Sequence, residues 1–291
     1  MKKFLLFILK SLVAITIILI VLDFGYTKIY KQSSSRGKVD QVYSSTAAKY
    51  DVVILGSSRA NNHFVSKMFE DKGLKTFNYG MSGAHLFEAD LLLKLMLERN
   101  YQIKNIIIEV DLNLSNDKRA DGVASKFLPY IHDSNVIREQ FEKETDFDYL
   151  YYVPFYRYIK YDSQIGFREG FKTLNKETTS LLNNQGYYAL GNKKKMKMRN
   201  DIRSLMPLVP NKYYEDIKLL CKKNNIRLIS IMTPMCENTK GMNYFEKVKK
   251  AYPETYNYEN VVVEDKYFSS CGHMNDMGAK KFTAVVINDF F

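Results

Sequence analysis

A chain of 291 residues holds one sizeable α/β domain and a short flanking segment, and two full domains would be a squeeze, because single cores stop growing near about 250–300 residues. Hydrophobic residues at 46%, with 22 Tyr and 18 Phe, supply enough buriable surface to exclude wholesale disorder. The formal charge is +11, but residues 1–40 hold seven basic against two acidic side chains, which leaves the rest with a mild excess and no nucleic-acid partner to expect.

The first predicted element is the apolar run Phe4 to Leu22, broken only by Lys10 and preceded by Lys2 and Lys3. As a helix it spans roughly 28 Å, close to the hydrocarbon thickness of a bilayer. No small-x-small cleavage site follows directly, since the run continues into Asp23-Phe24-Gly25-Tyr26; an uncleaved anchor over 1–26 is therefore favoured over a removed signal peptide. Lys2 and Lys3 favour a cytoplasmic N-terminus, against the pull of Lys28, Lys31, Arg36 and Lys38 beyond the run. The expectation is a single-pass protein of a bacterial cell membrane with its domain on the extracytoplasmic side. Residues 27–48 are polar, show no apolar period and read as a tether.

The domain is expected over 49–291. Asp51–Leu55 (DVVIL) ends in Gly56 and reads as a fully buried parallel strand. Helical spacing at Val65, Met68 and Phe69 stops near Gly73, and Leu74–Tyr79 forms a second strand closed by Gly80. A helix with a wide apolar stripe over 85–98 and a third strand at Ile106–Val110 complete a β-α-β-α-β order, which predicts a parallel sheet. From about 114 to 206 the rhythm is lost. This stretch, with dense aromatics at Tyr149–Tyr161, reads as a helical insertion packed on the sheet or its rim. Its basic run Lys193–Arg199 reads as a solvated loop or an anionic glycan or lipid contact. Helices near 212–224, 242–250 and 276–289 alternate with strands at Arg227–Met232 and Val261–Val263. The fold expected is a doubly wound, flavodoxin-like five-stranded parallel sheet. Three cysteines allow at most one bridge: Cys221 falls in an amphipathic helix as core, and Cys236 and Cys271 lie in loops able to pair in an exported domain.

Ligands of open parallel sheets bind at the carboxyl ends of the strands. The loop after the first strand, Gly56-Ser57-Ser58-Arg59, places a serine at a helix start, where backbone N–H groups point outward and suit an oxyanion. Asn78-Tyr-Gly-Met-Ser-Gly83 follows the second strand and Glu109-Val-Asp-Leu-Asn113 the third. Ser270-Cys-Gly-His273 precedes the last helix, and a serine nucleophile needs such a base within hydrogen-bond reach. A Ser-Ser pair after a strand also serves as a plain helix cap. Arg59 pairs with a carboxylate at the sheet edge, such as Asp111, or binds substrate. His63 and His85 read as surface or helix-cap residues and His132 as part of the insertion, so no metal and no cofactor is expected.

These loops, in this order, resemble the SGNH (GDSL-like) hydrolase family over essentially residues 50–291 less the insertion. They are most similar to membrane-tethered bacterial members that accompany cell-envelope polysaccharide modification. The resemblance puts Ser58 at the nucleophile of Gly-Asp-Ser, and Gly83 at the block-two glycine whose N–H joins that of Ser58 in the oxyanion hole. It puts Asn113 at the block-three asparagine, a third donor, and His273 at the histidine of Asp-x-x-His. Ser57 and Ser270 stand where the family has aspartates, and Asp111 and Leu112 where it usually has glycines. Converting the acid of a Ser-His-Asp triad to an amide costs about 10⁴ in kcat, so a backbone carbonyl, Asp265 or Asp276 is expected behind His273 if turnover is retained.

The function this implies is hydrolysis or transfer of a small acyl group, typically acetyl, on an envelope glycan through an acyl-serine at Ser58. The competing reading is an accessory with lost turnover that binds glycan or a membrane-bound O-acyltransferase. A third is a lipid-directed esterase held at the membrane by its basic tether.

Overall fold

The structure, a computed structural model, describes residues 1–34, 36–177, 179–192 and 198–291. The core of the basic run, residues 193–197, lies outside the described residues. The chain is an α/β protein whose main sheet has five parallel strands in the order Thr76–Asn78, Lys49–Leu55, Gln102–Glu109, Arg227–Met232, Tyr256–Asn257.

A single helix α1 (Lys2–Lys31) leads in, long and apolar enough to cross a membrane. It is followed by α2 (Lys38–Ser44), β1 (Lys49–Leu55), α3 (Ser58–His63), α4 (Ser66–Glu70), β2 (Thr76–Asn78), α5 (Leu86–Glu98) and β3 (Gln102–Glu109). Six short helices come next: α6 (Asp121–Ala124), α7 (Asn135–Phe141), α8 (Phe147–Tyr152), α9 (Tyr156–Lys160), α10 (Asp162–Ile165) and α11 (Phe167–Leu174). A two-residue ladder joins β4 (Asn200–Asp201) to β6 (Thr239–Lys240), with α12 (Lys212–Lys223) and β5 (Arg227–Met232) between them in sequence. The chain ends with α13 (Asn243–Ala251), β7 (Tyr256–Asn257), the hairpin β8 (Phe268–Ser270) and β9 (His273–Met274), and α14 (Asp276–Phe290).

The apolar runs of the central strands follow from burial on both faces. Val53 and Leu55 join Ile106, Ile108, Leu92 and Ile217 in one core, while Val52 and Ile54 join Ile107, Ile229, Phe64 and Phe282 in the other. Side chains alternate faces along a strand, so a run such as VVIL is what a sheet covered by helices on both sides requires.

Two expectations are corrected. The fifth strand of the sheet is Tyr256–Asn257, paired with Ile231 and Met232, not Val261–Val263. Val262 is buried in the second core from a loop, so its apolar character reflects plugging of that core and not ladder pairing. The tether also does not begin at residue 27. The helix of the anchor continues to Lys31, and α2 packs on the body through buried Val39 and Val42. About two helical turns with Val39 and Val42 as the buried apolar residues are too short to stand out as a period in the sequence.

The strand order reverses between β1 and β3, since the chain goes outward from β1 to β2 and then returns to the other side of β1. Such a reversal opens a crevice at the carboxyl ends of the two strands. Ser58 follows β1 and the Glu109–Asn113 segment follows the carboxyl end of β3, so both loops face one crevice.

Candidate active site

On the serine side, β1 passes into α3 through Gly56, whose φ is +134°. A Cβ there would lie 2.9 Å from Glu109 Oε2 and 3.0 Å from Ala60 Cβ, so only glycine fits. Ser57 caps α3: its Oγ accepts from the Arg59 N–H and donates to Glu109 Oε2 at 2.6 Å, while its own N–H donates to the same oxygen at 2.9 Å. Ser58 is the first helical residue, and between the buried Ser57 and Arg59 it alone keeps access to solvent.

Arg59 turns inward. It pairs with Asp111 at 3.1 Å and donates to the carbonyls of Thr233, Pro234 and Gly272. With 3% of its surface exposed and its donors engaged by protein atoms, it ties α3 to the loop after β5 and to the β8–β9 hairpin, and its carboxylate partner is the expected Asp111. Burial opposes the charge on Asp111, but Arg59 and the N–H donors of Thr233 and Leu112 outweigh it and hold its pKa below the usual carboxylate value. Burial and the neighbouring Asp111 push Glu109 the other way, toward its neutral form.

On the histidine side, β8 and β9 pair antiparallel with Ser270 opposite His273. The hairpin is pinned at several points. A disulfide joins Cys271 to Cys236, Gly272 accepts from Arg59, and the Met274 N–H donates to His63 Nε2 at 3.1 Å. Asn275 then caps α14 by accepting from the Gly278 N–H.

His273 Nε2 lies 2.7 Å from Ser58 Oγ, and Nδ1 lies 3.3 Å from Ser270 Oγ. With the proton on Nδ1, the ring donates to Ser270 and leaves Nε2 to accept from the Ser58 hydroxyl. The expected replacement acid is not found at Nδ1 among the described residues. Asp276 accepts from Tyr187 and pairs with Lys280, and Asp265 accepts from Asn238. The partner is thus a neutral hydroxyl. Burial, aided by the positive charge of Arg59 and opposed by Asp111, lowers the His273 pKa to about 4.

The loop after β2 is brought beside α3 by Asn78, whose amide donates to the carbonyls of Ala60 and Phe64 and accepts from the Gly80 N–H. Gly83 sits in this loop at φ +81°, a left-handed conformation that favours glycine. Neither its N–H nor that of Ser58 donates to a protein acceptor among the described residues. Asn113 is placed otherwise: its amide donates to Glu109 Oε1 at 3.2 Å and is buried, so its donor serves the carboxylate under Ser57. That bond occupies one of the two N–H donors of the amide. A cavity of about 280 Å³, lined among others by Met81, Ser82, Lys38 and Lys126, adjoins the same loop.

Three contributors were not singled out from the sequence. Glu109 fastens the cap of α3. His63 is fully buried, not superficial, and holds the backbone beside His273. Lys38 is buried too, donating to Asn61 Oδ1, the Gly80 carbonyl and the Gly186 carbonyl at 2.6–2.8 Å. A lysine at the start of a short helix carries no signal of that role; an acidic residue closing a buried strand, as Glu109 does, carries a faint one.

No family model matches the chain, and no curated protein does. Solved structures do match. One of them, from Streptococcus pneumoniae and described provisionally as a platelet activating factor, is 8% identical over 98% of this chain and 99% of that one, with a TM-score of 0.39. At that score the likeness carries no weight, and the chemistry rests on this chain's own geometry.

Proposed function

We propose that the chain is a membrane-anchored serine esterase or O-acyltransferase of the SGNH type, which removes or transfers a small acyl group, acetyl above all, on a cell-envelope polysaccharide. The observation that carries this reading is the 2.7 Å approach of Ser58 Oγ to His273 Nε2 at the switch point of a parallel sheet. Ser58 Oγ attacks the ester carbonyl carbon as its proton passes to Nε2. The oxyanion is received by the Ser58 and Gly83 N–H groups, each well-placed donor contributing roughly 3–4 kcal/mol. Collapse breaks the ester C–O bond, and Nε2 returns the proton to the leaving alcohol. Water or a sugar hydroxyl then takes the acyl group from Ser58 by the same steps in reverse. The apolar α1 and the Cys236–Cys271 disulfide support a domain held at a membrane on its oxidising, extracytoplasmic side.

A second reading, a glycan-binding accessory or a partner of a membrane-bound O-acyltransferase, is favoured by one observation: Ser270 supplies no charge to the imidazolium that catalysis requires. The test is p-nitrophenol release from p-nitrophenyl acetate by the full chain in detergent micelles, wild type beside Ser58→Ala and His273→Ala. Turnover lost in both variants supports the enzyme. Equal rates in all three, with no fluorophosphonate label on Ser58, would sink it in favour of the accessory.

A further inference from the structure

We propose that α11 is a second membrane contact, an interfacial helix that lies in the headgroup region of the bilayer spanned by α1. This goes beyond the ester chemistry and does not depend on it. The 30 residues of α1 extend about 45 Å, whereas its apolar run Phe4–Leu22 covers roughly 28 Å, so Asp23–Lys31 emerges from the hydrocarbon.

The body closes on α1 from the first of those residues. Asp23 accepts from the Phe155 N–H and from Arg157, both at 2.7 Å, and Arg157 also donates to Thr27 at 3.0 Å. Arg157 is 1% exposed, so these bonds are made in a largely buried junction that holds the insertion at the hydrocarbon edge. Gly170 of α11 rests against the ring of Tyr26, where an added Cβ would come within 3.3 Å. Helix α11 therefore meets α1 about one turn from the end of the apolar run.

At 3.6 residues per turn, Phe167, Phe171 and Leu174 share one face of α11, and they are 71%, 54% and 58% exposed. The adjacent face carries the buried Gly170 and Thr173, and the opposite flank carries Arg168 and Lys172. Tyr149, Tyr152, Val153 and Ile159, on or beside α8 and α9 of the same insertion, are exposed as well. An apolar row with a basic flank, continuous with a membrane-spanning helix, matches the headgroup–acyl boundary of an anionic bilayer.

The chain has no tryptophan, so Phe171→Trp creates a single reporter at an exposed site that the fold tolerates, and Leu219→Trp creates its counterpart on the exposed side of α12. Both full chains are placed in vesicles of phosphatidylcholine and phosphatidylglycerol. The tryptophan at 171 should be quenched by lipids carrying a shallow nitroxide, and several-fold less by aqueous iodide than the one at 219. Equal iodide quenching at the two positions overturns the proposal. So does shielding from iodide without quenching by the lipid nitroxide, which would mean that a second copy of the chain covers α11.

Discussion

Ser58 is set by a strand end, a glycine with no room for a Cβ, and the buried Arg59–Asp111–Glu109 group beneath it, whereas His273 rides on a short hairpin and meets the Ser270 hydroxyl at Nδ1. Both sides fix position. Only one supplies charge, and its carboxylates sit below the serine instead of behind the histidine. The contrast separates two demands that a Ser-His-Asp triad meets together, orientation of the imidazole and stabilisation of the imidazolium. In this chain a disulfide, Arg59 and His63 fix the hairpin that carries the ring, and among the described residues none at Nδ1 provides a counter-charge.

Removing charge from the serine side should have the largest effect. Arg59→Met leaves Asp111 buried without its counter-charge, which costs about 3–5 kcal/mol, readable as a lowered urea midpoint. Asp111→Leu added to it should recover part of the loss; if the single variant unfolds like wild type, the network does not hold the elbow. Supplying charge on the histidine side should act on rate instead. Ser270→Asp places a carboxylate at Nδ1 and should raise p-nitrophenyl acetate turnover about 10²–10³-fold, part of the roughly 10⁴ that an aspartate contributes in an intact triad. Unchanged turnover would show that the imidazolium does not limit the reaction. Lys38→Met leaves three buried oxygens without a donor and should lower stability by about 1–3 kcal/mol in a thermal melt. A neutral result there would mean that α2 does not brace the Gly80 loop.

How much of this was legible in the sequence depended on whether a residue's surroundings are local. The buried strands at 51–55 and 227–232 announce themselves through apolar runs, and Gly56-Ser57-Ser58 and Gly272-His273 through glycines beside reactive side chains. Their meeting at 2.7 Å follows from contacts distant in sequence that pin the hairpin: the Cys236–Cys271 disulfide, Arg59 on the Gly272 carbonyl and His63 on the Met274 N–H. Asn113 and Arg59 mark the limit of such reading, because a polar side chain at a crevice has the same local sequence whether it faces substrate or a buried carboxylate. Asp111 and Glu109 decide that, and neither is spaced to show it. Lys38 was lost to the tether, since its three acceptors lie 23 to 148 residues away in the chain.

The pH dependence sharpens the comparison most directly. His273 in the folded chain has a pKa of about 4, below its ordinary 6.5. Between those values the unfolded chain binds a proton that the folded chain does not, so stability is complete above about pH 6.5 and declines as pH falls toward 4. His63, lowered in the same direction chiefly by burial and also by Arg59, adds to this slope. Activity has its own signature. A base that stays neutral down to pH 4 keeps kcat/KM flat through the range where an unperturbed histidine titrates, with the acid limb near pH 4. In Ser270→Asp the new carboxylate favours the imidazolium, so the limb should move to higher pH while the plateau rises. A wild-type limb already near pH 6.5 would mean that a negative charge reaches Nδ1 in solution, and the contrast between the two halves of the dyad would disappear.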